Sequence, residues 1–113
     1  METKDIVRLL AAIAHEKRLE AYRHLVQAGP AGLHAGRLAE LLDIPPSSLT
    51  FHLKELVHAG LLSSHQEGRF VSYSVQYAAM NSILAYLTEN CCGGNPCSPV
   101  NLEVCSPAQQ NLG

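Results

Sequence analysis

The chain has 113 residues, 47% of them hydrophobic, and a formal net charge of −2 from 8 basic and 10 acidic side chains. That length and composition suit one domain with a true core, built mainly from Leu, Ile, Val and Ala because there is no Trp and only 2 Phe. The slight acidity excludes a domain that holds nucleic acid by bulk charge, so any DNA contact must come from motif and geometry.

Hydrophobic periodicity near 3.6 predicts a run of helices. Ile6, Leu9, Leu10 and Ile13 form the first apolar stripe. The run "LLAAIA" inside it is too short to cross a bilayer. Leu19, Tyr22, Leu25 and Val26 form a second stripe, closed by Gly29 and Pro30 in the order expected at a helix C-terminus. "HAGRLAELLDI" reads as a short third helix carrying Leu38, Leu41 and Leu42. Pro45 and Pro46 break it, and Pro suits the first turn of the next helix, "SSLTFHLKELVHAG", which should bury Leu49, Leu53, Leu56 and Val57 and stop at Gly60.

The period then changes from 3.6 to 2. "LLSSHQ" and "FVSYSV" flank Glu67-Gly68-Arg69, the composition of a hairpin loop, with Val71, Tyr73 and Val75 facing inward. A last helix, "YAAMNSILAYLTEN", has Met80, Ile83, Leu84 and Leu87 on one face. The expected fold is mainly α with a small β-hairpin wing: a winged helix-turn-helix over residues 1–90 with helices added at both ends. The stripes Ile6-Leu10-Ile13 and Met80-Leu84-Leu87 are hard to bury in so small a monomer, which predicts a symmetric dimer. Residues 91–113 are rich in Gly, Pro, Ser, Asn and Cys with no Lys or Arg, and read as a flexible tail in the free protein.

In a helix-turn-helix the second helix enters the major groove and its N-terminal residues meet base edges. Those positions are Ser47, Ser48, Thr50, Phe51 and His52, with Lys54 one turn on. The serines suit helix capping and phosphate contact alike. His52 is either a DNA contact or an ordinary exposed histidine. Arg69 at the hairpin tip suits a minor groove, where arginine is drawn by negative potential, although a loop arginine is more often solvated charge. Arg37 on the preceding helix is a candidate phosphate contact.

"AIAHEKRLEAYRHL", "LAELLDIPPSSLTFHLKELVHAGLL" and "EGRFVSYSV" together resemble the ArsR/SmtB family of metal-sensing repressors, over about residues 5 to 90 and in the right order. Its most specific parts are Arg18-Leu19, "FHLKEL" followed by "HAGLL", and the wing. The resemblance implies a homodimer joined by its first and last helices, repression by binding double-stranded operator DNA, and release when an inducer binds. Pro45-Pro46 departs from the Ser-Gln often found there, which bears on the cap and base preference of the fourth helix.

The family's arsenic site with a Cys-x-Cys pair on the third helix does not carry over, since "HAGRLAELL" has no cysteine. Its zinc site on the last helix needs His and Asp, which "YAAMNSILAYLTEN" lacks. The soft-ligand cluster is instead "NCCGGNPC", with Cys91, Cys92 and Cys97, followed by Cys105. The sequence has no basic start and small-residue cleavage site of a secretory signal, so a cytoplasmic protein with reduced thiols and no membrane partner is expected. Three thiolates suit trivalent arsenic, which takes a pyramidal site, and the tail resembles the C-terminal arsenite sites of some family members. Zinc prefers four ligands and would require Cys105 or a histidine as well. The expected function is a repressor released by trivalent arsenic as arsenite, with antimonite or methylarsenite as further inducers of the same site, and a thiol-redox or zinc/cadmium-responsive repressor is the alternative. There is no CxxC, acid pair or nucleophile–base spacing to suggest an enzyme, and no organic cofactor is expected.

Overall fold

Where each helix starts and stops follows from a few residues. In the computed structural model, which describes residues 2–94, α1 (Thr3–Ile13) is opened by Glu2, whose N–H donates to the Asp5 carboxylate at 3.1 Å. α2 (Glu16–Ala28) begins at His15, whose Nδ1 accepts the Lys17 N–H at 3.1 Å and so satisfies one orphan donor of the first turn. It ends at Gly29, which leads into a 3-10 turn containing Pro30. α3 (Ala35–Leu42) and α4 (Pro46–Ala59) follow.

Both of these helices stop by the same device, in which two bonds from a left-handed corner satisfy the last carbonyls. At the end of α4, Gly60 N–H donates to Val57 O and Leu61 N–H to Leu56 O, each at 3.0 Å. At the end of α3, Asp43 takes the left-handed corner at φ 54 and Ile44 N–H returns to Ala39 O at 3.2 Å. The turn of the helix-turn-helix is therefore cut by Asp43 before Pro45 is reached.

The sheet has three strands rather than the two expected. β1 (Leu33–His34) pairs antiparallel with β3 (Phe70–Val75), which pairs in turn with β2 (Leu62–Glu67), in the order β1-β3-β2. His34 opens the third helix as expected, as its extended N-cap residue, and the same residue also lies in β1 opposite Ser72. Gly32 makes this possible: at φ +69, a Cβ there would sit 2.2 Å from the Tyr73 carbonyl oxygen. The hairpin loop is also tighter than the three residues expected, because Glu67 pairs with Phe70 and only Gly68 and Arg69 turn. Gly68 supplies the positive φ that a two-residue hairpin loop requires at its first position.

Ile6, Leu9, Ala21, Leu25, Leu38, Leu42, Leu49, Leu53, Leu56, Leu61 and Leu62 form the core together with Tyr73, Val75 and Ile83. Two leucines of the predicted apolar stripes are at the surface: Leu19 is 46% exposed and Leu41 39%. Ala21 and Ala39 are buried in their neighbourhoods, because close helix packing takes the small side chain inward. α5 (Tyr77–Thr88) packs against α1, and Thr3 and Tyr86 share a hydroxyl hydrogen bond across the pair. On α1, Ile6 belongs to the core and not to the outer stripe; Val7, at 56% exposed, stands beside Leu10, at 40%. α5 adds Leu87, 61% exposed, with Met80 and Leu84 half-buried. After Asn90 a 3-10 turn spans Cys91–Gly94.

Candidate nucleic-acid interface

α3 and α4 form the helix-turn-helix, and the first turn of α4 is built without a side-chain cap. Pro45 is the extended N-cap residue and Pro46 takes the first helical position, where the missing N–H would have been unsatisfied anyway. Ser47 and Ser48 thus lie inside the first turn, exposed, and do not serve as the cap residue that one reading of "PPSS" expected. Their hydroxyls and the free N–H groups of that turn face the same solvent, the arrangement that suits a phosphate. Thr50 is different: its hydroxyl donates to the Pro46 carbonyl at 2.9 Å, leaving it only as an acceptor.

His52 is half-buried and engaged within the protein. Its Nδ1 accepts from Arg18 Nε of α2 at 3.1 Å, and its ring lies 4.4 Å from that of His15. Burial, then His15, then Arg18 hold the imidazole pKa below its usual value, since each disfavours a second positive charge. Phe51, exposed beside it, has the Arg18 guanidinium 5.9 Å from its ring centroid. Lys54 is exposed on the same helix.

Arg69 is exposed at the tip of the β2–β3 hairpin. The wing is braced from β1, where His34 Nε2 lies 2.8 Å from Glu67 Oε1 and the His34 ring packs 5.4 Å from Phe70. Arg37 is exposed on α3 and paired with Glu40 at 3.2 Å, one turn away. Exposed pairs of this kind are weak, so the guanidinium can exchange that partner for a phosphate at little cost. Ser47, Ser48 and Lys54 therefore share α4, whereas Arg37 and Arg69 are delivered by neighbouring elements.

Sequence reasoning missed the junction beneath α4. Arg18 entered only as part of the family motif, and His15 was given no role. Nothing in the sequence pairs them with His52, because the contact joins residues 34 positions apart.

The thiol cluster lies at the edge of the described chain. Cys91 is half-buried in the 3-10 turn after α5, Cys92 follows it, and Cys97 and Cys105 lie outside the described residues. Among the described residues, no group of three or more His, Cys, Asp or Glu side chains is arranged to hold a metal ion. None of the described helices is long and apolar enough to cross a membrane.

Residues 13–65 match the model of a helix-turn-helix domain. The chain is 32% identical over 84 residues to the HTH-type transcriptional regulator YgaV of Escherichia coli K12, covering 74% of this chain and 83% of that protein. It is 32% identical over 81 residues to the arsenical resistance operon repressor of Bacillus subtilis 168, covering 72% and 73%. Among solved structures, an ArsR-like transcriptional regulator from Rhodococcus sp. RHA1 superposes with a TM-score of 0.65 at 27% identity, over 80% of this chain and 82% of that one. A helix-turn-helix with a braced wing, in the company of these relatives, leaves one assignment: the chain belongs to the ArsR/SmtB family of DNA-binding transcriptional regulators.

Proposed function

We propose that the protein is a homodimeric repressor that leaves its operator when trivalent arsenic binds Cys91, Cys92 and Cys97. The observation that carries this reading is the position of the first two thiols. Cys91 and Cys92 open a turn three residues beyond the last residue of α5, the helix that packs on α1 and presents Leu87 outward. An ion drawing three sulfurs together there pulls on the end of an element that a dimer would use. Val7 and Leu10 of α1, with Met80, Leu84 and Leu87 of α5, supply the apolar face that a second copy would cover. The name of the Bacillus relative, an arsenical resistance repressor, supports the arsenic reading, while that of the Escherichia relative specifies no inducer.

In the bound state α4 lies in the major groove with Ser47, Ser48, Thr50, His52 and Lys54 toward the DNA. Arg69 reaches the minor groove and Arg37 a phosphate. The second reading keeps this interface and makes the thiols a redox or zinc/cadmium sensor. It is favoured by the same adjacency of two cysteines, since thiolates select soft ions in general. Operator anisotropy titrated in parallel with arsenite, antimonite, cadmium, zinc and peroxide separates the two. Release of the reduced protein by arsenite without oxidant is the expected result. Release by peroxide or cadmium alone would overturn the arsenic reading and leave the repressor standing.

A further inference from the structure

We propose that Arg18 is a positioning residue that makes His52 a directed hydrogen-bond donor toward an acceptor on the edge of an operator base pair. The inference rests on the reading of α4 as the DNA-entering helix and adds to it the polarity of one contact and its cause. A guanidinium has donors and no acceptor, so the His52 Nδ1 that lies 3.1 Å from Arg18 Nε must be the unprotonated ring nitrogen. In the neutral ring the proton then sits on Nε2, because the hydrogen bond at one nitrogen sets the state of the other. No described residue accepts a hydrogen bond from Nε2. His52 can therefore only donate, and its complement in the major groove is a purine N7, a guanine O6 or a thymine O4.

The direction of that donor is set from outside the helix-turn-helix. Arg18 also donates from Nη1 to the Ala12 carbonyl at the end of α1, 3.4 Å away, and its guanidinium lies over Phe51. His15 closes the other side with its ring 4.4 Å from His52, and its own Nδ1 is held as an acceptor by the Lys17 N–H. The imidazole of α4 is thus fixed by the junction of α1 and α2, where a displacement of α1 would be felt directly.

Two measurements test this on the full-length protein. In histidine 15N spectra near pH 7.5, His52 should show an unprotonated Nδ1 and a protonated Nε2, and Arg18→Gln should change its titration. In operator duplexes carrying 7-deazaguanine, 7-deazaadenine, 2-aminopurine in place of guanine or 5-methyl-2-pyrimidinone in place of thymine at one position at a time, wild type should lose about five- to tenfold in affinity at one base pair, the lower end of what a base contact supplies. His52→Ala, Arg18→Gln and Arg18→Lys should each lose that single-position discrimination. Adding Arg18→Gln to His52→Ala should cost less than about a further twofold, because residues acting through one contact are not additive. If the Arg18 variants keep the discrimination, or lower the salt dependence of binding with a cost additive to that of His52→Ala, Arg18 is a phosphate contact and the proposal is overturned. Wild-type operator affinity in His52→Ala would also overturn it. The histidine spectra then tell which part failed, since a Nδ1 lock that persists there leaves the junction standing and removes α4 from the base edges.

Discussion

Arg8 of α1 donates from Nη1 to the carbonyl oxygen of Ala59, 3.1 Å away, at the C-terminus of α4. A guanidinium at that end meets both an orphan carbonyl and the negative pole of the helix dipole. With Arg18 holding His52, two arginines from the first two helices grip the candidate recognition helix, one at its middle and one at its end. Arg8→Ala should lower stability by about 1–2 kcal/mol, the lower range for a charged hydrogen bond that is only partly buried. Thermal unfolding checks it. An unchanged melting temperature would mean that the Schellman-type end at Gly60 suffices alone.

Gly32→Ala should be far more damaging. The added methyl would meet the Tyr73 carbonyl at 2.2 Å and impose a side chain on a positive φ, so the β1–β3 pairing has to open. A loss of about 3 kcal/mol or more is expected. Gly36→Ala serves as the control in the same denaturant titration, because a Cβ there meets nothing within 4 Å.

Acid should weaken the His52 junction. Its folded-state pKa lies below the usual histidine value because burial, His15 and Arg18 all disfavour the cation. The unfolded chain therefore binds more protons over the window between the two values. The contribution is complete above about pH 6.5, the ordinary histidine value, and is lost as pH falls through the folded one. The melting temperature of His52→Gln should decline less than that of wild type between pH 7 and pH 5. Parallel declines would show that other groups carry the acid response.

Salt dependence should sort the DNA contacts. Lys54→Ala and Arg37→Ala should each reduce the slope of log K against log salt by about 0.9 if each neutralises one phosphate. Ser48→Ala carries no charge and should weaken operator binding without moving the slope. An unchanged slope for both basic variants would take Lys54 and Arg37 off the phosphates.

Cys91→Ser, Cys92→Ser and Cys97→Ser should each bind operator as wild type does yet fail to release it with arsenite. Wild type should weaken roughly 5- to 150-fold, the span of an ordinary allosteric coupling of about 1–3 kcal/mol. Cys105→Ser should be nearly silent toward arsenite. Release of Cys92→Ser at the wild-type arsenite concentration would remove the three-sulfur site.

The sequence by itself determined the order of helices and the hairpin, because each is a local matter of periodicity and of Gly and Pro at the boundaries. It marked the turn at Gly60 and the apolar positions Leu49, Leu53 and Leu56, which recur on one helical face and are all buried. It also showed where the thiols are concentrated. Only the tertiary structure decided that His34 joins a third strand, that Leu19 and Leu41 stay at the surface while Ala21 and Ala39 go inside, and that Val7 rather than Ile6 stands outward. It alone made His52 the partner of Arg18 and His15. Those outcomes depend on how closely two helices approach and which polar atoms meet across them. Contacts between residues tens of positions apart leave no periodic trace in the chain.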